Sequence, residues 1–489
     1  MTATSLDADA CVGVCGAGAM GAGIALVAAR AGHQVIVVDT FVGALERGRE
    51  RTEQVLASSV KKQRITADEA QAILARIAWC EDLEPLAPCA LVIEAIIEDL
   101  EAKAALAARL EDAVAPSAVI ATNTSSIPVS TLAARFTHRQ RVLGLHFFNP
   151  APVMRLVEVV PSPDTNANLV ETAVDLMRRW GKTPVVAKDV PGFIVNRVAR
   201  PFYAEGWKAF EEGVAPAATL DHLYRSLGRF RMGPLELGDL IGHDVNSTAA
   251  HTLYSSYFGR TRFHPSVLQA QYAQAGRLGR KTGRGVYDYA DDAPKPAVPY
   301  GEPARADTIL VAADIDRGLA PDHAEADPTL PAGCYAVDGV LLRFSDGRSA
   351  MALARDHARP TAVLDHALDL SASECLAYSV SDDDADQAAR ALISALGKSA
   401  VRIEDRPGGV VYRTLLQLAN AAADAVRDGV ASSPDVDAAM LHGVNYPVGP
   451  LTWVRVHGVD AAIAALDAIA KETGEHGLYQ CGLGLERYA

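Results

Sequence analysis

A histidine and a glutamate in neighbouring apolar runs are the side chains of this sequence best suited to move a proton. His146 stands in Gly144-Leu-His-Phe-Phe-Asn-Pro150, and Glu158 stands in Leu156-Val-Glu-Val-Val160. A carboxylate buried in such a run needs a partner, and an imidazole that it orients can take a proton near neutral pH. Oxidising an alcohol by hydride transfer requires such a base. The alternative is a structural pair in a core.

Hydroxyl and amide side chains near this pair could bind a substrate. The turn Thr122-Asn-Thr-Ser-Ser126 follows an apolar run, and Asn196 begins a helical region. Both could donate hydrogen bonds to a substrate or to a nicotinamide. The alternative for the turn is an ordinary helix cap, where Ser and Thr are favoured. Asn196 alone does not decide between a site and a surface position.

A glycine-rich segment near the start of the chain indicates a dinucleotide. It reads Gly16-Ala-Gly18-Ala-Met-Gly21, follows an apolar run and opens a helical stretch. Glycines there allow a tight turn and let backbone N–H groups approach a pyrophosphate. Asp39 ends the next apolar run, where a carboxylate can meet the adenosine ribose and would repel a 2′-phosphate. We expect NAD rather than NADP; the alternative is a turn that merely joins a strand to a helix.

The apolar runs that carry these residues predict an α/β domain. Apolar β-rich runs at 11–15, 34–38, 90–93, 119–122 and 142–145 alternate with helical stretches. That alternation predicts a parallel sheet wrapped by helices. Ligands of such sheets bind at the carboxyl edge of the strands, where the residues above would meet. A helical insertion at 43–78 is expected to reach over that edge.

The rest of the chain predicts two further kinds of domain. Helical periodicity dominates from Phe193 to about Tyr272, and the segment 291–303 carries four prolines, as a linker does. Short strands are predicted at 308–312, 340–344 and 362–365, with a helix at 385–396. No glycine-rich nucleotide motif follows any of them. We expect a reduced Rossmann-like domain without a nucleotide site.

Two segments recur in register along the chain. The segment 189–197 matches 405–413, and Met232-Gly-Pro-Leu235 matches Val448-Gly-Pro-Leu451 at the same offset. Chance similarity of turns is the alternative, but two matches in register indicate a second copy of the helical domain. The predicted fold is α/β plus all-α, with an N-terminal Rossmann domain (1–187), a helical domain (188–290), a linker (291–304), a reduced Rossmann-like domain (305–403) and a second helical domain (404–489).

Composition argues against several classes of protein. The net charge of −14 over 489 residues disfavours a nucleic-acid partner, and an anionic ligand would need positive charge gathered locally. No apolar run is long enough to span a membrane, and residues 1–10 lack the pattern of a secretion leader. The seven cysteines form no CxxC pair and lack histidine partners at metal spacing. We expect a cytoplasmic protein with reduced thiols and no metal.

Taken together, these motifs resemble the 3-hydroxyacyl-CoA dehydrogenase family. GAGAMG, NTSS, LHFFNP, LVEV, PGFIVNR and KTGRG follow one another between about residues 10 and 289. The resemblance implies a catalytic His146–Glu158 pair, with Ser125 and Asn196 binding and orienting the substrate. It implies NAD contacts from Gly16, Ala17, Gly18, Ala19, Met20, Gly21, Asp39, Glu98, Lys103, Ser125, Asn149 and Lys281.

The same resemblance implies the reaction. Members of the family oxidise an (S)-3-hydroxyacyl-CoA thioester to the 3-oxoacyl thioester, and their helical domain closes the cleft. Relatives take part of their CoA contacts from the helical insertion, which implies roles for Ser58, Lys61, Lys62 and Arg64. A solvated helix face is the alternative for these residues. Candidate anchors for a terminal acyl carboxylate, with plain ion pairs as the alternative, are Arg155, Arg197 and Arg200.

In its length and its duplicated helical domain, the chain is most similar to the longer bacterial members of the family, which act on 3-hydroxyadipyl-CoA in phenylacetate breakdown. Shorter members pair helical domains between two subunits and often prefer 3-hydroxybutyryl-CoA, which is the main alternative, in fatty-acid or butyrate metabolism. Further alternatives are oxidation of free hydroxy acids or sugars such as gulonate, and a non-catalytic NAD-binding role like that of lens crystallins.

The second helical copy departs from the family pattern. Tyr412 stands in register with Asn196, and the second half has no HFFNP segment. We therefore expect one active site per chain and a structural second half. A homodimer is expected, with a monomer paired through its own duplication as the alternative.

Overall fold

The computed structural model describes residues 6–7, 10–294, 296–315 and 319–488, and it divides the chain into two compact units. Unit 1 comprises Met1–Arg197 and Asp428–Val444, and unit 2 comprises Val198–Arg427 and Asn445–Ala489. The expectation about a leader at 1–10 falls largely outside the described residues. In the described ranges, no helix is both long and apolar enough to cross a membrane.

Unit 1 contains an eight-stranded sheet. Its strands are β1 (Val12–Cys15), β2 (Val35–Val38), β3 (Ile77–Cys80), β4 (Leu91–Glu94), β5 (Val119–Thr122), β6 (Val142–Phe147), β7 (Leu156–Pro161) and β8 (Thr183–Val186). They lie in the order β3-β2-β1-β4-β5-β6-β7-β8, with β6 and β7 antiparallel and every other neighbouring pair parallel. Near-continuous apolar runs form such strands because both faces of the sheet are covered.

Helices cover the sheet of unit 1 on both faces. They are α1 (Ala19–Arg30), α2 (Ala44–Lys61), α3 (Ala67–Leu74), α4 (Leu100–Ala113), α5 (Val129–Ala133), α6 (Ala167–Arg179) and α16 (Ser433–Gly443), with α7 (Val195–Val198) at the end of the first segment. The insertion predicted at 43–78 forms α2 and α3, and α3 starts with a capping box between Thr66 and Glu69. Helix α16 comes from near the end of the chain and lies against β7 and β8.

Unit 2 contains a second, mixed sheet and the remaining helices. Its strands are β9 (Ile309–Val311), β10 (Glu325–Ala326), β11 (Cys334–Val337), β12 (Val340–Phe344), β13 (Thr361–Leu364), β14 (Cys375–Val380) and β15 (Ser399–Arg402), in the order β10-β9-β11-β12-β13-β14-β15. The three strands predicted from sequence are β9, β12 and β13. The sequence analysis missed the other four, because short runs such as β14, Cys-Leu-Ala-Tyr-Ser-Val, mix apolar and small residues without clear alternation.

The helices of unit 2 include most of both copies of the repeat, whereas α16 belongs to unit 1. They are α8 (Arg200–Glu211), α9 (Ala217–Ser226), α10 (Pro234–Ile241), α11 (His243–Ser256), α12 (Val267–Gln274), α13 (Ala350–His357), α14 (Asp383–Ala395), α15 (Val411–Arg427), α17 (Pro450–His457), α18 (Val459–Thr473), α19 (His476–Tyr479) and α20 (Leu483–Glu486). Helices α9, α10 and α11 begin in register with α16, α17 and α18, as the repeat predicts. The predicted domain boundaries stay a prediction, since the two units divide the chain along other lines.

Candidate active site

The candidate base and its carboxylate face each other across the antiparallel pair β6–β7. His146 is the register partner of Glu158, and His146 Nδ1 lies 2.6 Å from Glu158 Oε2. Both side chains are buried, and Glu158 is fully so. The reversal of direction at β7 brings them together, because cross-strand partners on one face of a sheet are close neighbours. The sequence predicted that they could meet; it did not predict that the two strands are antiparallel.

Further hydrogen bonds fix the Glu158 carboxylate. Its Oε1 atom accepts from the backbone N–H groups of Ile194 at 2.9 Å and Val195 at 3.0 Å. These donors stand where the chain enters α7, one residue before Asn196. With three donors on two oxygens, the carboxylate has a single orientation, and it ties the segment that carries Asn196 to the strand beside His146. Phe148 and Phe193 flank the imidazole, with ring centroids 4.5 Å and 5.8 Å away.

The hydroxyl-rich turn 122–126 is organised by Glu98. Glu98 Oε1 accepts hydrogen bonds from the Thr124 hydroxyl, the Ser125 N–H, and both the N–H and hydroxyl of Ser126, at 2.6–3.0 Å. Burial opposes ionisation of Glu98, but the Lys103 ammonium and these hydrogen bonds outweigh it and lower the pKa of the carboxyl to about 2. The turn is also tied to β6, because Asn123 Oδ1 accepts from the Phe147 N–H at 2.8 Å. No hydrogen bond joins Ser125 to His146 in the described residues.

A buried glutamate that the sequence analysis did not single out supports this turn. Glu94 ends β4, where its Oε1 accepts from the Lys103 ammonium at 2.6 Å and from the Ile96 N–H at 2.8 Å. Its Oε2 accepts from the Thr122 hydroxyl at 2.7 Å, which links the ends of β4 and β5. The sequence does contain a signal for Glu94, since this carboxylate directly follows the apolar run Leu91-Val-Ile. Asp39 follows an apolar run in the same way.

The glycine segment has the shape that a dinucleotide requires. Gly16 has a φ of +107°, and a Cβ on Gly21 would lie 1.8 Å from the Gly16 carbonyl oxygen, so neither position accepts a side chain. A Cβ on Gly18 would meet nothing within 4 Å, which leaves open space before α1. Asp39 accepts from the Ala17 N–H at 2.7 Å and from the Phe41 N–H at 2.9 Å. A cavity of about 320 Å³ lies beside these residues.

The remaining candidate NAD contacts fall in three places. Glu98 and Lys103 belong to the network around the turn, where Lys103 is 3% exposed and also lies 3.3 Å from Glu98 Oε2. Asn149 lines a groove beside α1 and α2. Lys281 lies in unit 2, where its ammonium contacts both carboxylate oxygens of Asp244. Ala19 and Met20 open α1.

The loop after β6 is held by a lysine. Lys182 donates to the carbonyl oxygens of Ala151 at 2.5 Å and Met154 at 2.8 Å. Burial, together with the nearby Arg30 guanidinium, lowers the pKa of Lys182 to about 8. Helix α1 lies close to the same loop, since a Cβ on Gly23 would come within 3.2 Å of the Ala151 Cβ. The loop that carries Asn149 is therefore fixed from both sides.

The groove beside α1 and α2 gathers cations. It has a volume of about 640 Å³ and its lining includes Arg30, Arg51, Ser58, Lys62, Arg64 and Asn149. Ser58, Lys62 and Arg64 were candidates for CoA contacts. Lys61, the fourth candidate, ends α2 as an exposed residue and does not line the groove.

Two of the three candidate anchors for an acyl carboxylate have partners. Arg197 is buried and ion-paired with Asp428 in unit 1. Arg200, in unit 2, lies over the Tyr203 ring at 4.8 Å. Arg155 is exposed; burial, together with the charge of Arg155, lowers the pKa of His442 in unit 1. All seven cysteines are free, and the described residues contain no cluster of side chains able to hold a metal ion.

Comparison with known proteins agrees with this architecture. The family model for the 3-hydroxyacyl-CoA dehydrogenase NAD binding domain matches residues 11–190, and that for the C-terminal domain of the same family matches 192–289 and again 408–487. A third model, a 3-hydroxybutyryl-CoA dehydrogenase reduced Rossmann-fold domain, matches 342–407. The α/β plus all-α fold and the duplicated helical domain predicted from the sequence are thereby confirmed.

Similar proteins cover this chain to different extents. A 3-hydroxyadipyl-CoA dehydrogenase from Escherichia coli is 40% identical over 476 residues, which is 97% of each chain. A crystal structure from Escherichia coli K12, described as 3-hydroxybutyryl-CoA dehydrogenase, superposes with a TM-score of 0.89 at 40% identity and covers 99% of this chain and 98% of that one. Mycobacterium tuberculosis FadB2 covers 58% of this chain and all of its own, at 38% identity and a TM-score of 0.56. The chain therefore belongs to the 3-hydroxyacyl-CoA dehydrogenase family of NAD-dependent enzymes.

Proposed function

We propose that this enzyme oxidises the 3-hydroxyl of an (S)-3-hydroxyacyl-CoA thioester and that His146 is the base that takes the hydroxyl proton. The observation that carries the proposal is the 2.6 Å hydrogen bond between His146 Nδ1 and Glu158 Oε2 within a strand pair. With Nδ1 engaged by the carboxylate, Nε2 is the ring nitrogen left to accept a proton. General-base assistance of this kind is typically worth about 10² to 10⁴ in rate.

Glu158 would act through the histidine. Its carboxylate, fixed by two backbone N–H groups, keeps the proton of neutral His146 on Nδ1 and stabilises the imidazolium that forms when Nε2 takes the hydroxyl proton. Ser125 and Asn196 are proposed to bind and orient the thioester. Both stand on backbone segments that Glu98 and Glu158 hold in place, so their side chains need little reorganisation.

The glycine segment and Asp39 are the residues that would hold NAD. The open space at Gly18 and the close turn at Gly16 and Gly21 fit a pyrophosphate at the start of α1. Bound NAD supplies the acceptor for the hydride that leaves C3 of the substrate. Glu98 and Lys103 are proposed to support this site by fixing the 122–126 turn, and Asn149 and Lys281 remain proposed contacts.

The cationic groove beside α1 and α2 is the proposed site for the phosphates of CoA. Lys62 and Arg64 supply positive charge there in a chain whose net charge is −14. Ser58 would donate a hydrogen bond from α2. Charge-assisted hydrogen bonds to phosphate are stronger than neutral ones, so this groove can attract an anionic thioester despite the overall repulsion. Lys61, which does not line the groove, is not proposed to contact CoA.

We infer that the acyl group is 3-hydroxyadipyl, as in phenylacetate breakdown. Support comes from the Escherichia coli relative of that name, which matches this chain over nearly the full length of both. The similar crystal structure carries the name 3-hydroxybutyryl-CoA dehydrogenase, so 3-hydroxybutyryl-CoA is the second candidate. Arg155 is the one candidate carboxylate anchor that is exposed. The cationic groove favours an anionic thioester over a free hydroxy acid, and the His146–Glu158 pair favours catalysis over NAD binding alone.

Parallel assays of the two thioesters test the reaction and the acyl group together. NADH formation by the purified chain is followed with (S)-3-hydroxybutyryl-CoA and 3-hydroxyadipyl-CoA, using wild type, His146→Gln and, as a matched control, His138→Gln. His138 belongs to the same unit and directly precedes the short 3-10 helix Arg139–Arg141. We expect 3-hydroxyadipyl-CoA to have the higher kcat/KM, His146→Gln to lose about 10² or more in kcat, and His138→Gln to retain activity. Equal losses in both variants, or NAD binding without turnover of either thioester, would contradict the proposal.

Two properties of the whole enzyme are also proposed. We infer a homodimer by analogy with shorter members of the family, with a monomer paired through its own duplication as the alternative that sedimentation would reveal. A cytoplasmic location is supported by seven free cysteines, which are typical of a reducing compartment.

A further inference from the structure

Two of the seven cysteines lie side by side at the amino end of the first sheet. Cys11 Sγ and Cys89 Sγ are 3.0 Å apart, closer than two sulfur atoms ordinarily approach without a hydrogen bond or a covalent bond. The two residues lie 78 positions apart in the sequence. Cys11 directly precedes β1 and Cys89 stands two residues before β4, so the contact joins neighbouring strands.

The backbone around the two thiols is fixed. The Ala90 N–H donates to the Cys11 carbonyl oxygen at 3.0 Å, and the Cys89 N–H donates to the Leu86 carbonyl oxygen at 2.9 Å. A Cβ on Gly13 would lie 3.4 Å from Cys89 Sγ, so the absence of a side chain at Gly13 leaves room for the sulfur. A disulfide needs an S–S distance of about 2.0 Å, which is roughly 1 Å shorter than the present contact and within reach of side-chain rotation.

The environment assigns different roles to the two sulfurs. Cys11 is half-buried, whereas Cys89 is 2% exposed. The hydrogen bond from Cys89 lowers the pKa of the Cys11 thiol, and the same bond, with burial, raises the pKa of Cys89. A thiolate is the nucleophile in thiol oxidation. Cys11 is therefore the sulfur that solvent reaches and that ionises first, and Cys89 is its neighbour inside the core.

We propose that Cys11 and Cys89 are a reversible oxidation site, at which a hydroperoxide converts the two thiols to a disulfide between the starts of β1 and β4. This site lies at the amino end of strands whose carboxyl ends carry Gly16 and Glu94, and it takes no part in the dehydrogenase reaction.

The chemistry needs only the hydroperoxide. The Cys11 thiolate attacks one peroxide oxygen, the O–O bond breaks, and an alcohol or water leaves as Cys11 becomes a sulfenic acid. The Cys89 sulfur then attacks Cys11 Sγ, the S–O bond breaks, and water leaves with the proton of the Cys89 thiol. Two thiols lose two electrons and two protons, and the peroxide gains them. A dithiol reductant reverses the step by thiol–disulfide exchange.

The disulfide would stabilise the NAD-binding unit rather than regulate its chemistry. A cross-link that closes a loop of 78 residues restricts the unfolded chain strongly. For a unit of this size, that restriction corresponds to a rise in Tm of about 10 °C. Activity should change little, because the bond lies at the edge of the sheet opposite His146 and the glycine segment.

Counting thiols in the full-length protein tests the proposal. The reduced chain is treated with a small excess of hydrogen peroxide, denatured and titrated with a thiol reagent, and its peptides are mapped by mass spectrometry. We expect seven thiols to fall to five, with one cross-linked peptide pair containing Cys11 and Cys89, a rise in Tm, and full reversal by dithiothreitol. The variant Cys11→Ser should form no cross-link and show no rise in Tm, while its untreated activity equals that of wild type.

The variant Cys80→Ser is the matched control, since Cys80 is also half-buried in this sheet. It should still lose two thiols and form the Cys11–Cys89 cross-link. Cys89→Ala serves as a second variant if Cys11→Ser is unstable. A thiol count that stays at seven, a cross-link between other cysteines, or the same loss of thiols in Cys11→Ser and wild type would each overturn the proposal.

Discussion

Hydrogen bonds in the candidate active site converge on carboxylates rather than on the histidine. Glu158 binds His146 and two backbone N–H groups. Glu98 binds the turn that carries Ser125, and Glu94 binds the lysine that supports Glu98. Each acidic residue fixes a backbone segment, and that segment presents a polar side chain to the site. The acidic residues therefore set the geometry in which His146 would act, as supporting residues do in preorganised sites.

Replacing Glu98 tests whether the turn at 122–126 matters for catalysis. Glu98→Gln keeps the size of the side chain but removes the charge that faces Lys103 and weakens four hydrogen bonds. We expect kcat to fall about tenfold or more and KM for NAD to rise, because the Ser125 segment loses its fixed position. The pKa of Glu98 is about 2, so its carboxyl stays ionised across the working range, and the deficit of the variant should be the same from pH 6 to pH 9.

Glu101→Gln provides the control for that measurement. Glu101 is exposed in the first turn of α4, close to Glu98 in sequence and outside the network around the turn. Steady-state kinetics of the two variants should differ clearly, with Glu101→Gln close to wild type. If Glu98→Gln also retains wild-type kcat and KM, the turn does not depend on this carboxylate.

At the scale of elements, the sequence analysis succeeded where a strand end and a chemical group coincide. His146, Asp39 and the turn at 122–126 each follow an apolar run, and parallel strands place such residues at one edge. Glu94 follows the same rule, but the sequence analysis did not identify it, because the predicted strand 90–93 stops one residue before it. The contacts of Glu98 could not be predicted, since they depend on the conformation of two loops and not on a periodic pattern. The sequence pattern also could not predict the direction of β7, because a parallel and an antiparallel strand would bury the same residues.

Neighbouring lysines at the end of α2 offer a test of the proposed CoA groove. Lys62 lines the groove, whereas Lys61 does not; Lys61 is the last residue of α2, and Lys62 is the C-cap that follows it. We expect Lys62→Gln to raise KM for the thioester about three- to tenfold, with kcat and KM for NAD unchanged. The measurement is repeated at low and high salt, and the difference from wild type should shrink at high salt as screening weakens the contact.

Lys61→Gln is the matched control for the groove, since it removes the same charge from the adjacent position. Its KM for the thioester should stay within about twofold of the wild-type value. Equal effects of the two substitutions would mean that only the general charge of α2 matters. The groove would then lose its assignment as a specific CoA site.

At the scale of the whole molecule, the duplication places corresponding helices in two different units. Helix α16 of the second copy lies against β7 and β8 in unit 1. Its counterpart α9 lies in unit 2, where the Ser226 hydroxyl is 3.2 Å from the Cys375 thiol of β14. The second sheet keeps the capping pattern of the first: Asp365 accepts from the N–H groups of Val410, Val411 and Tyr412 at the start of α15. Glu158 accepts in the same way from two N–H groups at the start of α7. Helix α16 of the second copy is therefore part of the unit that holds the candidate active site.

The boundaries proposed for the domains follow from the sequence repeat rather than from these units. We propose segments 1–187, 188–290, 305–403 and 404–489, joined by a linker at 291–304 that has no helix or strand in its described residues. Since α16 belongs to unit 1, the last segment contributes to both units. Proteolytic cleavage of the linker alone should therefore not release residues 1–290 as a stable fragment.

The contact between α16 and β7 predicts that a substitution in the second copy will impair the first site. A Cβ on Gly443 would lie 2.5 Å from Leu156 Cδ2 and 3.1 Å from Val195 Cγ2. Val195 donates to Glu158, and Leu156 begins the strand that carries it. Gly443→Ala should therefore displace the buried side chains of Leu156 and Val195, lower stability by about 1–3 kcal/mol and reduce kcat about tenfold or more. Ala438→Gly, which weakens the same helix by about 1 kcal/mol without a clash, should lower Tm while leaving kcat intact. A Gly443→Ala enzyme with wild-type kcat would show that the second copy does not help to position Glu158.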